Sequence, residues 1–280
     1  MKDDLLAPVY PVTPKVVFMG EKPLAAKCLE HLLTKDCEIV GVCTRKKTEN
    51  VWWGKQIIRE IAEKNNIPIV ERKEILDLKP NIIISVLYPF VIETGILRPS
   101  KYERALNLAC NLHLAPLPEY KGCNCGSHAL MNGDTRFGVT LHELAPELDN
   151  GRIIAKRYFD LTLEDTSKTL YEKGCNLGYR IFEENIDSIL SGNVQFHEFY
   201  DDGSKPYPRD SLKNKQIPKI ENRKRVYDFV RALDFPPFEP AYFLNKKGKK
   251  IYLKAKDFGL REFELKNLEK ESQLKDYLKI

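Results

Sequence analysis

Asn111-Leu112-His113 is the densest polar cluster set in an apolar run of this chain. Residues two apart on a strand project to the same side, so the amide and the imidazole would face one spot. An amide can donate a hydrogen bond to a developing oxyanion while an imidazole handles a proton. Alone, the pair is also what a polar strand end with a satisfied histidine would look like. The sequence downstream adds more. Pro116-Leu117-Pro118-Glu119-Tyr120-Lys121-Gly122 forms a rigid Pro-rich turn. Gly138-Val139-Thr140-Leu141-His142 follows on an expected strand, and Leu148-Asp149-Asn150-Gly151-Arg152-Ile153-Ile154 places an acid in a tight turn. Asp149 is an acid for the site, or simply a turn-forming residue before Gly151.

Other reactive side chains are weaker candidates. His142 reads as a structural or supporting histidine on its strand. His128 reads as a surface or cap residue in the helix-like Ser127–Met131 stretch. Cys123 and Cys125 form a C-x-C pair with no second pair at zinc-site spacing, so no metal is expected. Nothing upstream orients either thiol as a nucleophile.

The elements that must position these residues alternate. Short apolar strands are expected at Lys15–Met19, Glu38–Cys43, Ile67–Val70, Asn81–Leu87, Ala105–His113, Gly138–Leu144 and Gly151–Phe159. Helical stretches are expected at Pro23–Leu33, Gly54–Lys64 and from Thr166 to Leu190. Near-continuous apolar strands alternating with helices predict an α/β fold with a mainly parallel sheet covered on both faces. In such sheets ligands bind beyond the carboxyl ends of the strands, where Asn111 and His113 fall. After Ser191 the pattern shifts. Val194–Phe199 alternates like a strand, Asn222–Leu233 is helical, and Ala241–Leu253 reads as a hairpin turned at Asn245–Gly248. The expected organisation is an arm over residues 1–14, a catalytic domain over 15–192 and a small C-terminal α+β subdomain over 193–280.

Composition narrows the function class. The 280 residues carry a net charge of +5, and the basic residues are scattered rather than striped. That disfavours a nucleic-acid surface. Seven cysteines, several in apolar runs, suit a reducing compartment. No signal peptide and no apolar run of about 20 residues is present, so a cytoplasmic protein without membrane contact is expected. The turn after the first strand reads Gly20-Glu21-Lys22-Pro23, with one glycine and an acid, which disfavours a nicotinamide or flavin dinucleotide.

The ordered pieces N-x-H, a Pro-rich loop closing on Lys-Gly, G-x-T-x-H and D-x-G-x-I resemble the folate-dependent formyltransferase family. The likeness covers roughly Lys15 to Leu190 and continues less strongly to Phe243. It implies the Rossmann-like formyltransferase fold and formyl transfer from N10-formyltetrahydrofolate, a reduced folate, to an amine without a metal. It further implies a catalytic set of Asn111, His113 and Asp149. Asn111 and His113 would donate to the oxyanion, and His113 or Asp149 would take the proton. Folate would meet the loop Tyr88, Pro89, Phe90, Val91 and Ile92, although Tyr88 and Phe90 read equally well as core aromatics.

Two features bear on the amine. Ala115-Pro116-Leu117-Pro118-Glu119-Tyr120-Lys121-Gly122 looks like the loop of the sugar N-formyltransferases, and Arg231-Ala232-Leu233-Asp234-Phe235-Pro236-Pro237-Phe238 resembles their R-A-L-x-F-P-P segment. Methionyl-tRNA formyltransferases append a barrel of about a hundred residues, and only about forty of the 280 residues follow Phe238. The expected acceptor is therefore a nucleotide-linked amino sugar, in a homodimeric enzyme that feeds a surface glycan such as lipopolysaccharide O-antigen. Methionyl-tRNA is the second reading, and a non-catalytic binding domain or a folate hydrolase are others. Lys121, Gly122 and Arg209 are candidate phosphate contacts. Trp52 and Trp53 are candidates to stack on a base, or else to pack the following helix. Phe235 and Pro236 would wall the sugar.

Overall fold

The computed structural model describes residues 13–45, 51–97, 108–218 and 222–258. Most of the expected N-terminal arm, the first three residues of the strand expected at Ala105–His113, and the chain after Phe258 lie outside them.

A six-stranded sheet organises the first part of the chain. Its strands are β1 (Lys15–Gly20), β2 (Glu38–Cys43), β3 (Ile82–Val86), β4 (Leu108–His113), β5 (Arg136–Glu143) and β6 (Ile153–Asp160), in the order β2-β1-β3-β4-β5-β6. The first four pair in parallel, and β5 runs antiparallel to β4. Helices α1 (Pro23–Leu32), α2 (Ile57–Lys64), α3 (Thr94–Leu97), α4 (Cys125–Asn132) and α5 (Ser167–Ser191) fall between and after the strands. The sequence-based expectation of a mainly parallel α/β sheet is met.

The apolar strands divide their residues between two faces, as strand pleating requires. Val16, Phe18, Ile82, Ile84 and Val86 join one buried cluster with Leu29 of α1 and Phe182 and Ile186 of α5. Val17, Met19 and Ile83 join another with Ile75 and Ala109. Fully burying a side chain of this size stabilises by about 1.5–3 kcal/mol, so both faces of the central strands are firmly anchored.

Two expected strands are absent as strands. Ile67–Val70 makes one isolated bridge, Val42 with Ile69, and Val194–Phe199 makes one, Ile153 with His197. Both segments have the apolar alternation of a strand but pair at a single position. Periodicity reads burial and does not count ladder bonds.

Chain contacts group into two compact units. One holds the described residues up to Glu119 with Val139–Arg157 and Cys175–Ser204. The other holds Tyr120–Gly138, Tyr158–Gly174 and the described residues from Lys205 onward. The second contains α4, helix α6 (Arg223–Ala232) and an antiparallel hairpin, β7 (Ala241–Leu244) with β8 (Lys250–Leu253). The hairpin turns at Asn245–Gly248, where Gly248 N donates to the Asn245 carbonyl, as expected from the sequence. Val226, Tyr227, Val230, Leu233, Ala241 and Leu253 form this unit's own core.

Candidate active site

Strand β4 ends on the polar pair. Leu112 is buried at 1% exposure while Asn111 and His113 on the other side are half-buried. The antiparallel register with β5 puts His142 opposite Asn111 and Thr140 opposite His113. That register brings the Asn111 amide nitrogen to 3.2 Å from His142 Nε2. His142 Nδ1 lies 2.8 Å from the Glu143 carbonyl oxygen. Burial pushes the His142 pKa down to about 4, against the opposing pull of Asp149.

Asp149 completes the group. Its Oδ2 lies 3.8 Å from His113 Nε2 and its Oδ1 3.7 Å from His142 Nε2. A carboxylate with 8% exposure thus sits between two imidazoles whose ring centroids are 6.2 Å apart at 89°. These separations exceed a direct hydrogen bond, as catalytic contacts often do before they tighten around substrate. The turn that delivers Asp149 is demanding. Asp149 itself is left-handed at φ 52°, a conformation that costs a non-glycine residue free energy. Gly151 runs so close to the Glu143 carbonyl that no β-carbon would fit. Glu143 N donates to the Arg152 carbonyl, and the Arg152 guanidinium grips the Glu143 carboxylate at 2.8 and 3.0 Å. Asn111, His113 and Asp149 are therefore brought together.

Two residues that sequence reasoning did not assign hold the adjacent Pro-rich loop. The buried Thr140 hydroxyl donates to the Ala115 carbonyl at 2.8 Å and accepts from Leu117 N at 3.1 Å. Lys156 donates to the Leu117 carbonyl at 2.7 Å. Thr140 was within the G-x-T-x-H motif, but its partners, the Ala115 carbonyl and the Leu117 N–H, are 25 and 23 residues away and leave no local signal. Lys156 carries no motif at all.

The loop beyond β3 starts at Leu87, also left-handed at φ 53°. The Tyr88 hydroxyl lies 3.2 Å from Cys43 Sγ, and burial raises both groups' pKa values. Tyr88 and Ile92 pack on the cluster around Met19 and Ile83. Phe90 and Val91 instead face solvent, at 46% and 68% exposure. The Arg45 and Arg72 guanidiniums lie 5.8 and 5.3 Å from the Phe90 ring, and Arg72 donates to the Val91 carbonyl. The Tyr88 and Phe90 rings, on either side of Pro89 in the chain, meet edge to face at 5.6 Å. Tyr88 is thus partly a core aromatic, whereas Phe90 is partly exposed with Tyr88, Arg45 and Arg72 against its ring.

The remaining candidates scatter. Trp52 and Trp53 pack edge to face at 5.4 Å, with Lys22 Nζ 5.8 and 5.9 Å from their rings. In the second unit the Lys121 side chain is buried, and its carbonyl accepts from Tyr207 N. Gly122, at φ 87°, passes too close to the Tyr207 backbone for any side chain. Arg209 is exposed, and its carbonyl accepts from Asn124. Phe235 and Pro236 line a cavity of about 510 Å³ with Phe238, Tyr252 and Lys254. His128 is neither a cap nor a plain surface residue. Its ring stacks on Tyr207 at 3.8 Å, and Nε2 meets the Ser211 hydroxyl at 2.9 Å. Cys125 is buried, with its thiol toward the Tyr120 and Gly122 carbonyls.

Residues 15–186, more than half of the chain, match the formyl transferase family. The methionyl-tRNA formyltransferase of Clostridioides difficile is 30% identical over 245 residues, covering 81% of this chain and 75% of that protein. An N-formyltransferase from Helicobacter canadensis, solved with folinic acid and dTDP-3-aminofucose, shares the fold. Its TM-score is 0.66 at 22% identity, over 80% of this chain and 81% of that one. A 4-N formyltransferase from Francisella tularensis gives a TM-score of 0.72 at 18% identity, over 86% of this chain and 96% of that one. With the N-x-H strand end, the G-x-T-x-H strand and the D-x-G turn converging as described, the chain belongs to the formyl transferase family and is a formyltransferase.

Proposed function

We propose that this formyltransferase moves a formyl group from N10-formyltetrahydrofolate to the amine of a nucleotide-linked amino sugar, with Asn111, His113 and Asp149 as its catalytic set. The observation that carries the chemistry is the convergence of those three side chains, with Asp149 within 3.8 Å of His113. The folate supplies an electrophilic formyl carbon. As the acceptor nitrogen attacks it, negative charge gathers on the formyl oxygen. On this reading Asn111 Nδ2–H and a ring N–H of His113 would donate to that oxygen, which stabilises the charge where it develops. The attacking amine must lose a proton, and the departing N10 must gain one. His113 or Asp149 would carry it between the two. On this reading the partly exposed Phe90, beside the turn at Leu87, would meet the pterin.

The sugar acceptor is supported by the shared fold with the Helicobacter canadensis N-formyltransferase solved with dTDP-3-aminofucose, and with other structures described as sugar formyltransferases. The Ala115–Gly122 loop and the Arg231–Phe238 segment resemble that branch. On this reading Lys121, Gly122, Arg209, Trp52, Trp53, Phe235 and Pro236 serve the sugar nucleotide. The enzyme would act as a cytoplasmic homodimer without a metal, nucleic acid or membrane partner, making a modified sugar for a surface glycan. One observation favours a second reading, methionyl-tRNA: the 30% identity to the Clostridioides difficile enzyme. The test is release of tetrahydrofolate from N10-formyltetrahydrofolate with amino-sugar nucleotides, with charged initiator tRNA, or with no acceptor. Release that depends on an amino sugar supports the first reading. Release with tRNA at a matching rate, or with water alone, contradicts it.

A further inference from the structure

A side-chain amide presents a donor on one edge and an acceptor on the other, and its neighbours decide which edge faces the substrate. For Asn111 the deciding neighbour is His142, directly across the β4–β5 ladder. The His142 ring meets a carbonyl oxygen at Nδ1, 2.8 Å away. A carbonyl only accepts, so Nδ1 carries a proton. In the neutral ring Nε2 is then a bare lone pair, and it accepts from the Asn111 amide nitrogen at 3.2 Å. An imidazolium would set a second donor against that nitrogen and favour the opposite amide edge.

The charged and titratable groups facing this ring are few among the described residues. Asp149 Oδ1 lies 3.7 Å away on the turn before β6, the His113 ring stands edge-on from β4, and Glu143 is the next residue along β5. At 1% exposure the ring is closed to water, which disfavours its charged form.

We propose that His142 is a positioning residue that fixes the Asn111 amide by accepting one of its N–H bonds. The other N–H of the same nitrogen is thereby held for the formyl oxygen. The inference rests on the reading of Asn111 as a donor to that oxygen. It assigns His142 no proton transfer and no contact with substrate.

A double-mutant cycle separates this role from simple space filling. His142→Phe should lower kcat by about 10–100-fold, up to the loss seen when an oxyanion donor is removed, with KM for folate and acceptor within about twofold. In an Asn111→Ala background the same substitution should change kcat by less than about twofold, because its target is gone. His142→Gln, which can offer an acceptor oxygen, should recover most of the loss. The ring nitrogen shifts of 15N-labelled wild-type protein give a readout that needs no variant to fold, and they should report the proton on Nδ1. Equal losses from His142→Phe in both backgrounds, or a proton on Nε2 in the neutral ring, would overturn the inference alone. A harmless Asn111→Ala would overturn it together with the functional reading of Asn111.

Discussion

Gly151 passes so near the carbonyl oxygen of Glu143 that a β-carbon at that position would overlap it. This close approach lets the turn before β6 fold back on the end of β5 and deliver Asp149 between His113 and His142. Gly151→Ala must push the two strands apart. The expected cost is about 1–3 kcal/mol, the usual penalty for overpacking, together with a fall in kcat larger than any change in KM. Urea unfolding and steady-state kinetics would check both. Wild-type stability and turnover would show that the turn has slack.

Acid should weaken the fold through His142. Its pKa in the folded protein is about 4, lowered by burial, against about 6.5 in an unfolded chain. As pH falls, the unfolded chain therefore binds this proton first. The stability contributed by neutral His142 is fully present above about pH 6.5 and is lost as pH falls toward 4. The loss amounts to roughly 3 kcal/mol. Unfolding free energies at pH 7.5 and 4.5 should differ by more in the wild type than in His142→Gln. Equal differences would contradict the burial-driven shift.

Arg231 falls in the segment that resembles sugar formyltransferases, yet it is not placed to meet a ligand. At 2% exposure it donates to Asp228 at 2.8 Å and to the Thr162 and Asp165 carbonyls. Without Arg231, Asp228 keeps only Lys224, 2.9 Å from its other oxygen, and the Thr162 and Asp165 carbonyls lose this donor, at about 1–3 kcal/mol for each buried group left unsatisfied. Arg231→Met should therefore lower the urea midpoint sharply, and adding Asp228→Asn should recover part of the loss. A double variant as unstable as the sum of the two single variants would contradict a coupled pair.

The exposed Phe90 should act in binding alone. Phe90→Ala is expected to raise the KM for N10-formyltetrahydrofolate by about tenfold, while kcat changes by less than about twofold. An unchanged KM would remove Phe90 from the folate site.

Much of this was legible in the sequence because short-range spacing carries it. Asn111 and His113 share a side because pleating has a period of two, and the apolar runs of β1 and β3 announced a sheet covered on both faces. Other features depend on register and on distant partners. The contact between Asn111 and His142 spans 31 residues, and only the pairing of β4 with β5 creates it. Thr140 and Lys156 act on carbonyls of the Pro-rich loop that no local pattern links to them. His128 gave no sign of its stack on Tyr207, 79 positions further along the chain. The segments Ile67–Val70 and Val194–Phe199 carry strand-like alternation but find a partner at one position each.

The central claim is that His113 and Asp149 lower the barrier to formyl transfer rather than hold the ligands. Its most direct test is a single-turnover measurement of formyl transfer to the best-accepted amino-sugar nucleotide, in the wild type and in His113→Ala and Asp149→Asn. Both variants should be slowed by about 10²–10⁴-fold, with dissociation constants for folate and acceptor within about threefold of the wild type. Transfer near the wild-type rate in either variant, or a loss that appears entirely as weaker binding, would contradict the assignment.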